Sequence, residues 1–86
     1  MLSDTEVLDV VRNAVARVLE IDPASIDTSS TFTDDLGADS LALVEIVELV
    51  EEQLAPHARA SFRIDDEDLE ELRTVGEAAS YALARL

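Results

Sequence analysis

The residue with the clearest capacity for chemistry is Ser40, at the end of Asp34-Asp35-Leu36-Gly37-Ala38-Asp39-Ser40-Leu41. Gly37 permits a tight backbone, and Ser40 then stands where the loop passes into a helix. A hydroxyl at a helix start is exposed, and a phosphate esterified to it would lie at the positive end of the helix dipole. The stretch therefore suits a phosphoserine-type ester. The same residue types also make ordinary helix caps, so local chemistry alone leaves Ser40 or Asp39 as a simple cap. A serine-hydrolase elbow needs G-x-S-x-G after a strand. Here Ala38 and Ala42 flank Ser40, and no strand pattern precedes it. The single histidine, His57, falls in a polar loop and reads as a solvated surface residue. The acidic run over residues 65–71 lacks the spaced ligands and central glycine of a calcium loop. No catalytic residue and no metal ligand is expected.

The elements that position Ser40 can be read from capping signals and apolar spacing. Ser3-Asp4-Thr5-Glu6 has the form of a capping box. Val7, Val11, Ala14, Val15 and Val18 follow at helical spacing, which predicts a first helix over Asp4–Leu19, stopped by Asp22-Pro23. Residues 22–39 are rich in Ser, Thr, Asp, Pro and Gly and read as a long loop with one short turn at residues 23–26. Ile26, Phe32 and Leu36 can pin that loop to the core, which argues that it is ordered. Asp39 can cap a second helix over Ser40–Leu54, with Leu43, Ile46, Val47, Val50 and Leu54 as its apolar stripe and Pro56 as its stop. A second loop covers residues 55–63. Asp65 can cap a short third helix carrying Leu69 and Leu72. Thr74-Val75-Gly76-Glu77 is a second capping box, opening a fourth helix whose inner face is Val75, Ala78, Ala79, Ala82, Leu83 and Leu86. The expected fold is all-α: a small four-helix bundle of three main helices and one short one, with a long loop between the first two.

With 86 residues the chain is one small domain, and 48% hydrophobic content is enough to pack a core without metal or disulfide. Aromatic residues are only 3%, so that core must be aliphatic. The formal charge is −14, which disfavours nucleic acid and anionic membrane surfaces and favours a basic partner. Cysteine is absent, which removes disulfides and thiolate chemistry and fits a reducing compartment. The N-terminus has no signal-peptide pattern, and no apolar run is long enough to span a bilayer. A cytoplasmic monomer is expected.

The outer face of the second helix carries its own signal. At roughly 100° per residue, Leu41, Glu45, Glu48 and Glu52 project from one side, opposite the apolar stripe. That helix contains no lysine or arginine. Like charges at i,i+3 and i,i+4 cost about 0.2–0.5 kcal/mol per pair, and Glu51 and Glu52 lie where the helix dipole disfavours anions. Stability alone would place cations among them. A partner with a basic surface accounts for the pattern, with Leu41 and Val44 as apolar contacts beside Ser40.

The stretch Phe32-Thr33-Asp34-Asp35-Leu36-Gly37-Ala38-Asp39-Ser40-Leu41 resembles the segment ending in Asp-Ser-Leu that precedes the second helix of acyl carrier proteins. The likeness continues through Val44-Glu45-Ile46 and on through residues 64–81, so it spans nearly the whole chain as a single carrier domain, residues 1–86. It implies that a phosphopantetheinyl transferase moves a 4′-phosphopantetheine arm from coenzyme A onto Ser40, and that the arm's thiol carries acyl groups as thioesters. The chain itself would then catalyse nothing, since the cofactor supplies the reactive group. The resemblance also implies docking through Leu41, Val44, Glu45, Glu48 and Glu52 onto an acyltransferase or ligase, a ketosynthase and related enzymes; Asp35 and Asp39, being next to Ser40, are expected to matter to the transferase.

Three features depart from fatty-acid carriers: Ala42 where an acidic residue is usual, Glu48 where methionine is frequent, and a longer loop over residues 55–63. Peptidyl carriers more often have Gly-Gly-x-Ser, unlike Gly37-Ala38-Asp39-Ser40. The expected role is a carrier in polyketide or other specialised acyl biosynthesis. A fatty-acid synthesis carrier is the alternative within the family. An unmodified acidic helical adaptor for a basic partner is the alternative outside it.

Overall fold

A computed structural model describes residues 2–58, 62–64 and 66–86. Asp65, the expected cap of the third helix, lies outside the described residues. Helix α1 runs over Asp4–Leu19, as the valine spacing predicts. Its capping box is complete: the Ser3 hydroxyl accepts the Glu6 N–H at 3.2 Å, and the Glu6 carboxylate accepts the Ser3 N–H at 3.1 Å. The Ser3 backbone N–H, and after it the Ser3 hydroxyl, hold the Glu6 carboxyl below its ordinary value, because both favour the charged form. Val7, Val11, Ala14 and Val15 are buried, and Val18 is half-buried.

The end of α1 differs from the expectation. Glu20 adopts the left-handed region at φ 57, and its N–H bonds to the Ala16 carbonyl. The Ile21 N–H reaches the same carbonyl at 3.1 Å. This left-handed cap turns the chain before the proline is reached. Asp22 and Pro23 instead open a 3-10 turn over Pro23–Ser25, in which the Asp22 carboxylate accepts the Ala24 N–H at 2.9 Å.

The long loop is ordered, and the reason lies in its main chain. The Phe32 N–H bonds to the Arg73 carbonyl at 2.9 Å, the Val75 N–H to the Ser30 carbonyl at 3.1 Å, and the Gly76 N–H to the Thr28 carbonyl at 2.8 Å. Thr31 and Thr74 form an isolated antiparallel bridge within this set. A Cβ at position 76 would lie 3.0 Å from the Thr28 carbonyl oxygen, so glycine lets the loop come this close. Ile26 and Phe32 are buried and Leu36 is half-buried, in keeping with their expected role as pins.

Helix α2 covers Ser40–Leu54 and buries Ile46, Val47, Val50 and Leu54. Leu43, assigned to the same stripe from sequence, is only half-buried. Pro56 falls inside a 3-10 turn, Ala55–His57, that continues directly from α2. Helix α3 covers Val75–Ala84 and buries Val75, Ala79 and Ala82. Helix α1 packs against both α2 and α3, and the core between them contains no buried polar side chain among the described residues. The short third helix forms as a 3-10 segment, Asp66–Glu71, rather than as an α-helix. Leu72, just beyond it, is buried and Leu69 is half-buried. Side chains tie this segment to α3: the Tyr81 hydroxyl donates to the Asp68 carboxylate, and Arg85 lies 3.4 Å from the same oxygen and 3.7 Å above the Tyr81 ring. The second capping box is half-formed. The Thr74 hydroxyl accepts the Glu77 N–H at 3.1 Å, while the Glu77 carboxylate takes the Thr74 hydroxyl proton rather than the Thr74 backbone N–H.

Candidate functional site

The approach to Ser40 is built by a self-contained turn. The Asp35 carboxylate accepts the Thr31 N–H at 2.8 Å, and the Thr31 hydroxyl accepts the Asp35 N–H at 3.0 Å. The Leu36 N–H then closes onto the Thr31 carbonyl at 3.0 Å. Gly37 follows at φ 68, a conformation that side chains with a Cβ adopt at a cost. The Ala38 N–H returns to the Phe32 carbonyl at 2.7 Å, and Ala38 itself is buried. Asp39 is the N-cap of α2, its carboxylate accepting the Ala42 N–H at 2.8 Å.

This arrangement separates the two roles that the sequence left open. Asp39 does the capping, and Ser40 is the first residue of the helix. Ser40 is exposed, and its hydroxyl makes no hydrogen bond among the described residues. It is therefore free to react without removing a bond from the fold. The first N–H groups of a helix lack intrahelical partners, so an anion esterified at Ser40 would meet unpaired donors and the positive end of the dipole.

Ser40 lies on the rim of a groove of about 550 Å³. Leu43 and Val44 of α2 form one wall, Leu69 and Leu72 the other, and Thr33, Asp34 and Arg73 also line it. Val44 belongs as well to a second groove of about 580 Å³, together with Glu48, Glu52, Phe62, Ile64 and Leu69. The sequence reading missed Arg73 and the wall role of Leu69 and Leu72. An apolar pair in a polar stretch was the only trace of that wall.

The expected docking residues are all on the surface. Leu41 is 68% exposed and Val44 37%, the two large apolar residues most open to solvent among the described residues. Glu45, Glu48 and Glu52 are exposed and form no ion pair or hydrogen bond among the described residues. Glu51 is different. Its carboxylate accepts the Ile64 N–H at 3.2 Å and lies 3.4 Å from the Arg63 guanidinium, so a local bond explains that anion. Asp35 and Asp39 are exposed too, but each has a carboxylate oxygen committed to a backbone N–H.

Comparisons of the sequence with known proteins bear on what a chain with this site does. The family described as "Phosphopantetheine attachment site" matches residues 9–82. The chain is 41% identical over 71 residues to an acyl carrier protein of Bdellovibrio bacteriovorus, covering 83% of each chain. It is 35% identical over 77 residues to an acyl carrier protein of Chlamydia caviae, covering 90% of this chain and 92% of that one. It is 40% identical over 73 residues to an acyl carrier protein of Clostridium perfringens, covering 85% and 88%. This chain belongs to the acyl carrier protein family.

As an acyl carrier protein it bears 4′-phosphopantetheine as a covalent prosthetic group. The residues present fit that group: an unbonded hydroxyl at the first position of α2, free helix N–H groups beside it and an adjoining groove. Members of the family work with a phosphopantetheinyl transferase and with biosynthetic enzymes that load and unload the carrier. The carrier reading thereby prevails over that of an unmodified acidic adaptor. No helix among the described residues is long and apolar enough to cross a membrane.

Proposed function

We propose that Ser40 is the attachment point of the 4′-phosphopantetheine arm and that the chain is a non-catalytic carrier in polyketide or other specialised acyl biosynthesis. The observation that carries the attachment is the division of labour at the start of α2: Asp39 caps and Ser40 is left unbonded and exposed. When bound, the arm supplies a terminal thiol that holds acyl groups as thioesters. The chain's own residues then do three things. Ser40 provides the ester oxygen. The N-terminal turn of α2 stabilises the phosphate charge. Glu45, Glu48 and Glu52, with Leu41 and Val44, present an acidic and partly apolar face to basic surfaces of an acyltransferase or ligase, a ketosynthase and related enzymes. Exposed charges of one sign act mainly on association rate.

The pathway reading rests on Ala42 and Glu48, which lie on or beside the docking helix, and on the connection that follows it. Substitutions there change which enzymes bind rather than whether the domain folds. A fatty-acid carrier is the second reading, and the relatives, which carry only the general carrier name, do not separate the two.

One preparation tests both. The apo protein is incubated with coenzyme A and a phosphopantetheinyl transferase, then weighed intact and mapped by peptide. Ser40 is expected to carry the whole adduct, and Ser40→Ala is expected to fold and gain no mass. An adduct on any other serine overturns the attachment site. The loaded protein is then offered to the purified fatty-acid elongation enzymes of its source. Poor elongation is expected, and elongation as efficient as that of the organism's own fatty-acid carrier promotes the second reading.

A further inference from the structure

The groove beside Ser40 carries a charge that the acidic character of the chain does not lead one to expect. Arg73 is the one basic residue among the described residues that line it. The formal charge of the chain is −14, with only 6 basic residues, so a cation at this particular position stands out. Arg63 lies 3.4 Å from Glu51 and Arg85 3.4 Å from Asp68, whereas Arg73 is exposed and has no ion-pair partner among the described residues. Its backbone is nevertheless held firmly. The Arg73 carbonyl accepts the Phe32 N–H at 2.9 Å, and the Arg73 N–H reaches the Glu71 carbonyl at 3.1 Å. Leu72 on one side is buried, and Thr74 on the other is the N-cap of α3. The fold thus fixes the base of a long cationic side chain at the edge of the groove that Ser40 shares, and leaves the guanidinium unspent. Apart from Asp34, the other lining residues are apolar or hydroxyl-bearing, so competition for that guanidinium within the groove is slight.

We infer that Arg73 binds an oxyanion brought into this groove on the arm at Ser40. A guanidinium offers paired donors that match phosphate and carboxylate oxygens alike. The oxyanion therefore has two sources: the phosphodiester next to Ser40, or a carboxylate at the far end of the acyl cargo. In the first case Arg73 orients the arm along the Leu43, Val44, Leu69 and Leu72 walls. In the second it makes the carrier selective for acyl groups with an anionic end over neutral ones of the same length. The inference rests on the attachment proposed at Ser40, and the experiment separates failure of one from failure of the other.

The probes are three forms of the full chain, loaded by a transferase with coenzyme A, malonyl-coenzyme A or butyryl-coenzyme A, and checked by intact mass. The readout is the Arg73 Nε–H resonance in each form relative to the unloaded protein, at low and high salt. A displacement already present in the form carrying the bare arm assigns the phosphodiester. A displacement only in the malonyl form assigns the cargo carboxylate. Either is expected to shrink in high salt, because a partly exposed ion pair is screened. Arg73→Gln, at an exposed position, is expected to fold and to lose the salt-sensitive change that loading causes in neighbouring Leu43 and Leu69 signals, with Arg73→Lys restoring part of it. A mass-verified adduct with an unmoved Arg73 resonance overturns this inference and leaves the attachment at Ser40 standing. Equal displacement in the malonyl and butyryl forms, absent with the bare arm, also overturns it, since that reports apolar filling of the groove. No adduct at Ser40 overturns both.

Discussion

Residues 20–39 and the described part of residues 55–74 both connect α-helices, and both reach the groove beside Ser40, but they are held by different groups. The first is stitched to the start of α3 by main-chain bonds from Val75 and Gly76, joined to residue 73 just before it by the Phe32 N–H, and folded on itself by the Leu36 and Ala38 N–H groups. The second shares one of those bonds at its end, through the Arg73 carbonyl, and among the described residues its other ties to the helices are made by side chains: buried Phe62, Ile64 and Leu72, the Glu51 carboxylate on the Ile64 N–H, and the Tyr81–Asp68–Arg85 set. Main-chain bonds survive most substitutions, since every residue except proline carries both groups. Side-chain attachments change with the residue. The first connection can therefore keep Ser40 in one place while the second varies the opposite wall. Of the three expected departures from fatty-acid carriers, one, residues 55–63, falls in the second connection, while Ala42 and Glu48 lie on α2.

Three measurements bear on this contrast. The largest effect is expected from Phe32→Ala, which empties the buried pin of the first connection and should cost about 3–5 kcal/mol in chemical unfolding. A loss near 1 kcal/mol would mean that the stitches hold without their pin. Gly37→Ala comes next. Open space surrounds the position, so the cost is torsional, about 1–2 kcal/mol from the left-handed backbone. Gly37→Asn should cost less, because asparagine tolerates that region. Equal melting temperatures for the two variants would locate the penalty elsewhere. The smallest effect is expected from Glu51→Gln. Its ion pair with Arg63 is at the surface, where such pairs are worth about 1 kcal/mol or less, and an amide oxygen can still accept the Ile64 N–H. Stability should fall by under about 1 kcal/mol and the rate of arm transfer to Ser40 should not change. A slowed transfer would show that the second connection also positions the serine.

Much of this was legible in the residues. The bounds of α1 and α2 follow from Ser3-x-x-Glu6, Asp39 and valine or isoleucine at helical spacing, because local caps and one-sided burial decide them. What escaped depends on contacts between residues distant in sequence, or on a choice between near-equal conformers. Glu20 in the left-handed region has no sequence mark, since glycine or asparagine is the usual sign. The 3-10 form of Asp66–Glu71 differs from an α-helix by one step in the hydrogen-bond ladder, which apolar spacing over six residues does not resolve. Asp35 read as a docking residue, yet one of its oxygens closes the turn on Thr31, visible only once the loop has folded back. Gly76 looked like an ordinary capping-box residue until the Thr28 carbonyl was found against it. At the candidate site, Ser40 is expected from its neighbours in sequence, while Arg73 joins the groove only when residues 28–32 and 73–76 meet.

That meeting also orders events in time. Ser30 and Val75, or Thr28 and Gly76, are far apart in sequence, so the chain must close a long loop before their bonds can form. Until the first turn of α3 exists, the Ser30 and Thr28 carbonyls have no Val75 and Gly76 N–H to accept, and the loop leading to Ser40 lacks that support. A chain still being synthesised, with its last helix unmade, offers a serine but not a fixed one. Loading is thus expected to wait for completion of the polypeptide, so that a transferase which requires a positioned serine passes over unfinished copies. Arm transfer to a chain truncated before Thr74, measured against the full chain, reports on this directly, and equal rates would remove the dependence.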